Sequence, residues 1–149
     1  ARDLLRLESE DIEYLNADEI KRASSAPISD IEAGRKLLAH LRTCVNARRS
    51  FALETTLAST GYARAAKGWT AAGYRLVLHY IELPSADYAI ERVRRRVAHG
   101  GHGVPEATIR RRFARSRPLF DTVYRPLADM WYHYASDEHG LRLVHEGSR

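Results

Sequence analysis

The sequence predicts an α/β domain in which a mainly parallel sheet carries helices on both faces. Three observations point there. Strand-like and helix-like stretches alternate along the 149 residues at the spacing of βαβ units. The run 50–57 (SFALETTL) is apolar on both faces as far as Glu54, the pattern of a strand buried on both sides. Two carboxylates, Asp18 and Glu54, close strands, which sets both at the carboxyl edge of the sheet, where open α/β folds gather their chemistry. At 149 residues, 44% hydrophobic and 29% charged, the chain is expected to form one domain with a sizeable core.

The elements follow in order. Ile12 to Leu15 is a short strand, and Asn16 or Asp18 caps a helix that runs through Arg22. Asp18 is therefore either a plain helix cap or a carboxylate aimed at a ligand. Residues 24–27 are a loop. Ser29 followed three residues later by Glu32 is a capping box, and it opens a helix to about Asn46 with Ile31, Leu37, Leu38, Leu41 and Val45 facing inward. Gly34 inside that helix costs about 1 kcal/mol against alanine, which suggests a backbone or ligand passing close by. Cys44, the single cysteine, reads as a reduced core residue. Glu54 ends an apolar run and needs a partner there: a basic side chain, a metal, a water or a substrate hydroxyl. Thr55 and Thr56 add hydroxyls at the same edge. An alanine-rich helix over 60–72 stops at Gly73. Residues 74–83 (YRLVLHYIEL) form the strongest strand, and Ser85 caps the helix after it. A helix over 117–130 and two short strands, 131–134 and 141–145, complete the chain.

Between Arg92 and Arg117 nine arginines face one acid, Glu106. They fall in two blocks, Arg92/Arg94/Arg95/Arg96 and Arg110/Arg111/Arg112/Arg115/Arg117, on helices separated by Gly100-Gly101-His102-Gly103. The first helix turns Ala89, Ile90, Val93 and Val97 inward; the second starts at Pro105 and pairs Ile109 with Phe113. Three roles suit such a stretch. It is a solvated basic face, a helix-turn-helix-like nucleic-acid site, or a lid over about 85–117, hinged at the glycines, that closes guanidiniums over phosphates. The net charge of +5 comes almost wholly from this stretch, which favours a local anion site and disfavours nucleic acid as the partner.

Other classes are set aside by composition. No apolar run approaches the roughly 20 residues of a membrane span and no signal peptide opens the chain, so a cytoplasmic protein without a membrane partner is expected. No Cys/His cluster has zinc-site spacing, and no protein metal site is expected. The chain begins Ala1-Arg2-Asp3-Leu4-Leu5, like the tail of a helix under way, and both ends read as cut.

Several segments in a fixed order resemble the zeta-toxin-like P-loop kinases over nearly the whole length. They are LNADEI (15–20), GRKLL (34–38), SFALETTLAS (50–59), AAGY (71–74), LHYIELPS (78–85), AIERVRRRVAHGGHGVPEATIRRRF (89–113) and LADMWYHY (127–134). The resemblance implies a three-layer P-loop-kinase fold that transfers a phosphoryl group from ATP, with Mg2+, to a hydroxyl of a small molecule. In the best-known branch the acceptor is UDP-N-acetylglucosamine, and the kinase is a toxin held by an antitoxin protein. By position, Asp18 matches the general base. Glu54 and Thr56, with Thr55 between them, match the substrate side. Arg92 matches the lid arginine that contacts ATP, and Arg96 shares its face one turn on. His102 stands where the toxin branch has a second arginine, and Arg111 and Arg112 fit the basic lid helix.

One departure is large. The family's G-x-x-x-x-G-K-[ST] loop, whose backbone cradles phosphates, does not occur in these residues. ARDLL matches the helix that follows that loop, so the loop and its strand, central in the family's sheet, are expected upstream, and the chain as printed is expected to bind ATP poorly. The alternative is a non-catalytic nucleotide- or nucleic-acid-binding module that uses the arginine helices electrostatically.

Overall fold

A computed structural model describes residues 12–101 and 103–149, and the chain divides into two units, one ending at Thr55 and the other Thr56–Arg149. The ARDLL helix expected at the start lies outside the described residues, as does His102.

In the first unit, β1 (Glu13–Leu15) leads into α1 (Ala17–Ala23), then α2 (Asp30–Asn46) and β2 (Phe51–Leu53). The two strands pair in parallel, Glu13 opposite Phe51 and Leu15 opposite Leu53, and the Glu54 N–H extends the ladder to the Leu15 carbonyl at 3.0 Å. Ser29 caps α2 by accepting the Glu32 N–H at 3.2 Å, as its sequence position predicts. The buried stripe of α2 is Ala33, Leu37, Leu41 and Cys44. Leu37 and Leu41 face inward as expected, but Ile31 is 71% exposed and Leu38 is 44% exposed, which corrects the rest of the expected stripe. Small Ala33 and Cys44, both fully buried, complete the contact face; Cys44 is the core residue expected, and Ala33 takes the place of larger Ile31 and Leu38. A Cβ built on Gly34 would meet nothing within 4 Å among the described residues, so no close approach explains that glycine.

Successive side chains of a strand point to opposite faces. Glu13 accordingly turns toward α2, where its carboxylate accepts from Arg49 at 2.8 Å, His40 Nε2 at 2.6 Å and the Cys44 thiol at 3.4 Å. Burial, then the bond to Glu13, pushes the Cys44 thiol above its usual range, which keeps it protonated and unreactive. Tyr14 projects from the other face.

The second unit opens with α3 (Gly61–Ala71) and β3 (Val77–Glu82), followed by the arginine helices α4 (Ala86–Ala98) and α5 (Glu106–Leu119). The helix expected over 117–130 is instead the end of α5, a π-helical turn (Phe120–Tyr124) and a 3-10 turn (Arg125–Leu127). Pro118 inside α5 has no N–H to donate, which breaks the regular ladder just before that change of pitch. β4 (Met130–Asp137) and β5 (Gly140–Ser148) are longer than expected and form a hairpin. The turn is closed by Asp137 accepting the His139 N–H at 2.8 Å and by Gly140 at φ 116.

β4 lies between β3, which it pairs in parallel, and β5, which it pairs antiparallel. The described strands thus form two small sheets, one parallel and one mixed, in a chain that is α/β as expected. The second unit's core is Leu57, Ala63, Tyr80, Phe120 and Tyr124, with Phe120 1% exposed and stacked on Tyr80 at 4.4 Å between ring centres. A smaller cluster of Ala89, Ile90 and Ile109 joins α4 to α5.

Candidate functional site

Where β1 gives way to α1, Asn16 takes the N-cap and its Oδ1 accepts the Asp18 N–H at 2.8 Å. The cap left open between Asn16 and Asp18 is therefore Asn16. Asp18 sits half-buried in the first turn of α1, where a carboxylate is favoured by the helix dipole. The Asn16 amide turns its Nδ2 the other way and donates to Glu54 Oε2 at 2.8 Å. Tyr14 donates its hydroxyl to that same oxygen.

Glu54 is exposed, which corrects the expectation of a charge trapped at the end of an apolar run. Its partners are a phenol and an amide, both neutral, so its charge is not cancelled. Oε1 accepts no hydrogen bond among the described residues. The grip is reflected in Tyr14, whose pKa is pushed up to about 12 by burial first, then by the hydrogen bond to Glu54 and by its negative charge. A phenol held that high stays a donor at any physiological pH. One oxygen of the carboxylate is thus fixed by donors, and the other is presented to whatever hydroxyl, amine or cation arrives. Thr55 and Thr56 continue the exposed chain beyond Glu54, Thr55 ending the first unit and Thr56 starting the second. Leu57 then takes a left-handed φ of 51 and buries itself in the second unit's core.

The arginine helices are less uniformly unpartnered than the sequence suggests. Arg94 pairs with Glu106, Arg95 with Glu91 at 3.0 Å, and Arg110 with Asp87 at 2.6 Å. Arg117 reaches Glu82 at 2.8 Å and Asp121 at 2.7 Å, and the bond to Asp121 is the main cause that raises its pKa further. Arg92, Arg111, Arg112 and Arg115 are exposed and make no ion pair among the described residues; Arg96 is exposed as well. The glycines expected as a hinge close α4 as a Schellman cap. Gly100, at φ 82, donates to the Val97 carbonyl at 2.9 Å, and Gly101 donates to the Arg96 carbonyl at 2.8 Å.

Sequence reasoning missed a second polar cluster. His133, 4% exposed on β4, bonds Glu82 Oε2 at 2.8 Å, and Arg117 holds the same oxygen. The ring lies 5.4 Å from Tyr80 and 5.8 Å from Phe120. Each partner comes from a different element, so no local pattern could mark the cluster. It is a core histidine satisfied by a strand-end carboxylate. Among the described residues no group of three or more His, Cys, Asp or Glu side chains is arranged to hold a metal ion, and no helix is long and apolar enough to cross a membrane.

Asp18, Glu54 and Thr55 belong to the first unit, and Thr56, Arg92, Arg96, Arg111 and Arg112 to the second. No family model matches the chain, and no solved structure matches it. A protein of Haemophilus influenzae described only as uncharacterized is similar, 27% identical over 86 residues, which cover 58% of this chain. The match spans 61% of that protein's length.

Proposed function

We propose that the intact protein is a zeta-toxin-like P-loop kinase, which phosphorylates a hydroxyl of a small molecule such as a UDP-amino sugar. The observation that carries this reading is the end of the β1/β2 pair: two parallel strands deliver Asp18 and Glu54 to one edge, and Glu54 is held by neutral donors with an oxygen to spare. Each unit also pairs two strands in parallel, β1 with β2 and β3 with β4, as a P-loop-kinase fold requires.

Asp18 takes the proton of the acceptor hydroxyl as its oxygen attacks the terminal phosphorus of ATP, and the bond to the bridging oxygen of ADP breaks. Glu54, Thr55 and Thr56 orient the acceptor. Arg92, Arg96, Arg111 and Arg112 spread the charge of the moving phosphoryl group, a role for which Arg92, Arg111 and Arg112 suit best because no acid of the described residues pairs with them. Mg2+ bound with ATP would supply further charge stabilisation at the phosphates. Such a kinase works in the cytoplasm, and an antitoxin protein is the partner the family suggests.

The test is transfer of labelled phosphate from ATP to a panel of UDP-amino sugars and simple alcohols by the intact protein. Label on one acceptor class supports the assignment; ATP binding without transfer to any hydroxyl contradicts it. Arg92, Arg111, Arg112 and Arg115, exposed and in no ion pair among the described residues, favour a second reading, an electrostatic nucleic-acid module. Duplex binding that weakens steeply with salt would mark that module, and salt-tolerant, magnesium-dependent ATP binding would mark the kinase.

A further inference from the structure

We infer that Asn16 is a positioning residue: its single amide ties the first turn carrying Asp18 to the Glu54 carboxylate, and so fixes where Glu54 presents its open oxygen. The inference rests on the kinase reading for what Glu54 binds, but not for the tie itself.

The amide can point only one way. Its Oδ1 accepts the Asp18 N–H at 2.8 Å, and its Nδ2 donates to Glu54 Oε2 at 2.8 Å. Flipped, the NH2 would face an N–H and the oxygen would face a carboxylate, two repulsions in place of two bonds. Tyr14 completes the clamp from β1, one strand position before Leu15, whose carbonyl takes the Glu54 N–H at 3.0 Å. The carboxylate is thus held through its own backbone and through one of its oxygens. A hydrogen bond to a charged acceptor is stronger than a neutral one, which suits it to hold an exposed side chain against its rotamer freedom. An acceptor hydroxyl that donates to Oε1 then meets a carboxylate already in place, and its binding does not bear the cost of ordering that side chain.

Capping and clamping reside on different atoms of Asn16, so substitution separates them. Serine and aspartate cap helices about as well as asparagine. Asn16→Ser retains the cap and lacks the donor to Glu54. Asn16→Asp retains the cap and sets a second carboxylate oxygen where the donor was. Asn16→Ala loses both. In the intact enzyme, Asn16→Ser and Asn16→Asp should keep Tm close to wild type, raise the acceptor KM about tenfold, more for aspartate than for serine, and leave the ATP KM unchanged. An acceptor KM that rises only in Asn16→Ala, in step with a fall in Tm, would overturn the inference, because Asn16 would then be a cap and nothing more.

A second measurement needs no turnover. The Asn16 side-chain NH2 signals, identified by their loss in Asn16→Asp, should move in Glu54→Gln. Signals that stay in place in Glu54→Gln would overturn the tie itself. If the wild-type protein phosphorylates no hydroxyl while those signals do move, it is the kinase assignment that fails and the tie that stands.

Discussion

Tyr14 offers the most quantitative check on the first unit. Its hydroxyl titrates near 12 in the folded chain, against about 10 in an unfolded one. Between those values the folded chain keeps a proton that the unfolded chain has released, so the stabilisation is complete below pH 10 and is lost as pH rises toward 12. That difference corresponds to about 2.7 kcal/mol for a group shielded from water. Tyr14 is only partly buried, and solvent screening reduces the figure to about 1 kcal/mol. NMR of the protein with ring-labelled tyrosine reads the titration directly, with the Tyr14 signal assigned by its absence in Tyr14→Phe. Burial is the largest cause of the shift and Glu54 supplies the next two. Glu54→Gln should therefore bring the midpoint down while leaving it above 10. A wild-type midpoint near 10, or one that ignores Glu54→Gln, would refute the Tyr14–Glu54 contact and the presentation of Glu54 built on it.

Three further outcomes follow from the packing. Leu37→Ala should cost about 2–5 kcal/mol in denaturant unfolding and Ile31→Ala less than about 0.5 kcal/mol, because Leu37 is 2% exposed and Ile31 71%. Glu82→Ala should cost about 1–3 kcal/mol by the same measurement, since it strips buried His133 of its partner and leaves Arg117 with Asp121 alone. Gly101→Ala should lower Tm, because its Cβ would lie 2.6 Å from Arg96 Cγ and 2.8 Å from the Arg96 carbonyl oxygen, and backbone cannot give way cheaply.

What the sequence disclosed was what neighbours in the chain decide. Ser29 and Ser85 cap helices because the accepting side chain and the donating N–H are three residues apart. Val77–Glu82 is a strand within the stretch its composition marks. What stayed hidden depends on distant partners. Glu54 meets Tyr14 and Asn16 across 40 and 38 residues, so its local apolar surroundings gave a false picture of burial. Arg110 finds Asp87 and Arg117 finds Glu82 across 23 and 35 residues, which neutralises arginines that look unopposed in a local window. The face of α2 was legible only in part: Leu37, Leu41 and Cys44 are buried as expected, whereas Ala33 is buried because its small side chain lets the helix sit close, and a search for large apolar residues passes over it. The edge that holds Asp18 and Glu54 was legible because both follow strands, and the donors that organise it were not.

The kinase reading requires that Asp18 and Glu54 stand at a phosphoryl-acceptor edge. Asp18→Asn in the intact protein tests it most directly, with ATP binding and phosphate transfer measured side by side. The variant should bind ATP as the wild type does and transfer phosphate to the acceptor at a rate lower by at least about 10²-fold, the usual scale for removing a general base. Near-normal transfer by Asp18→Asn would contradict it.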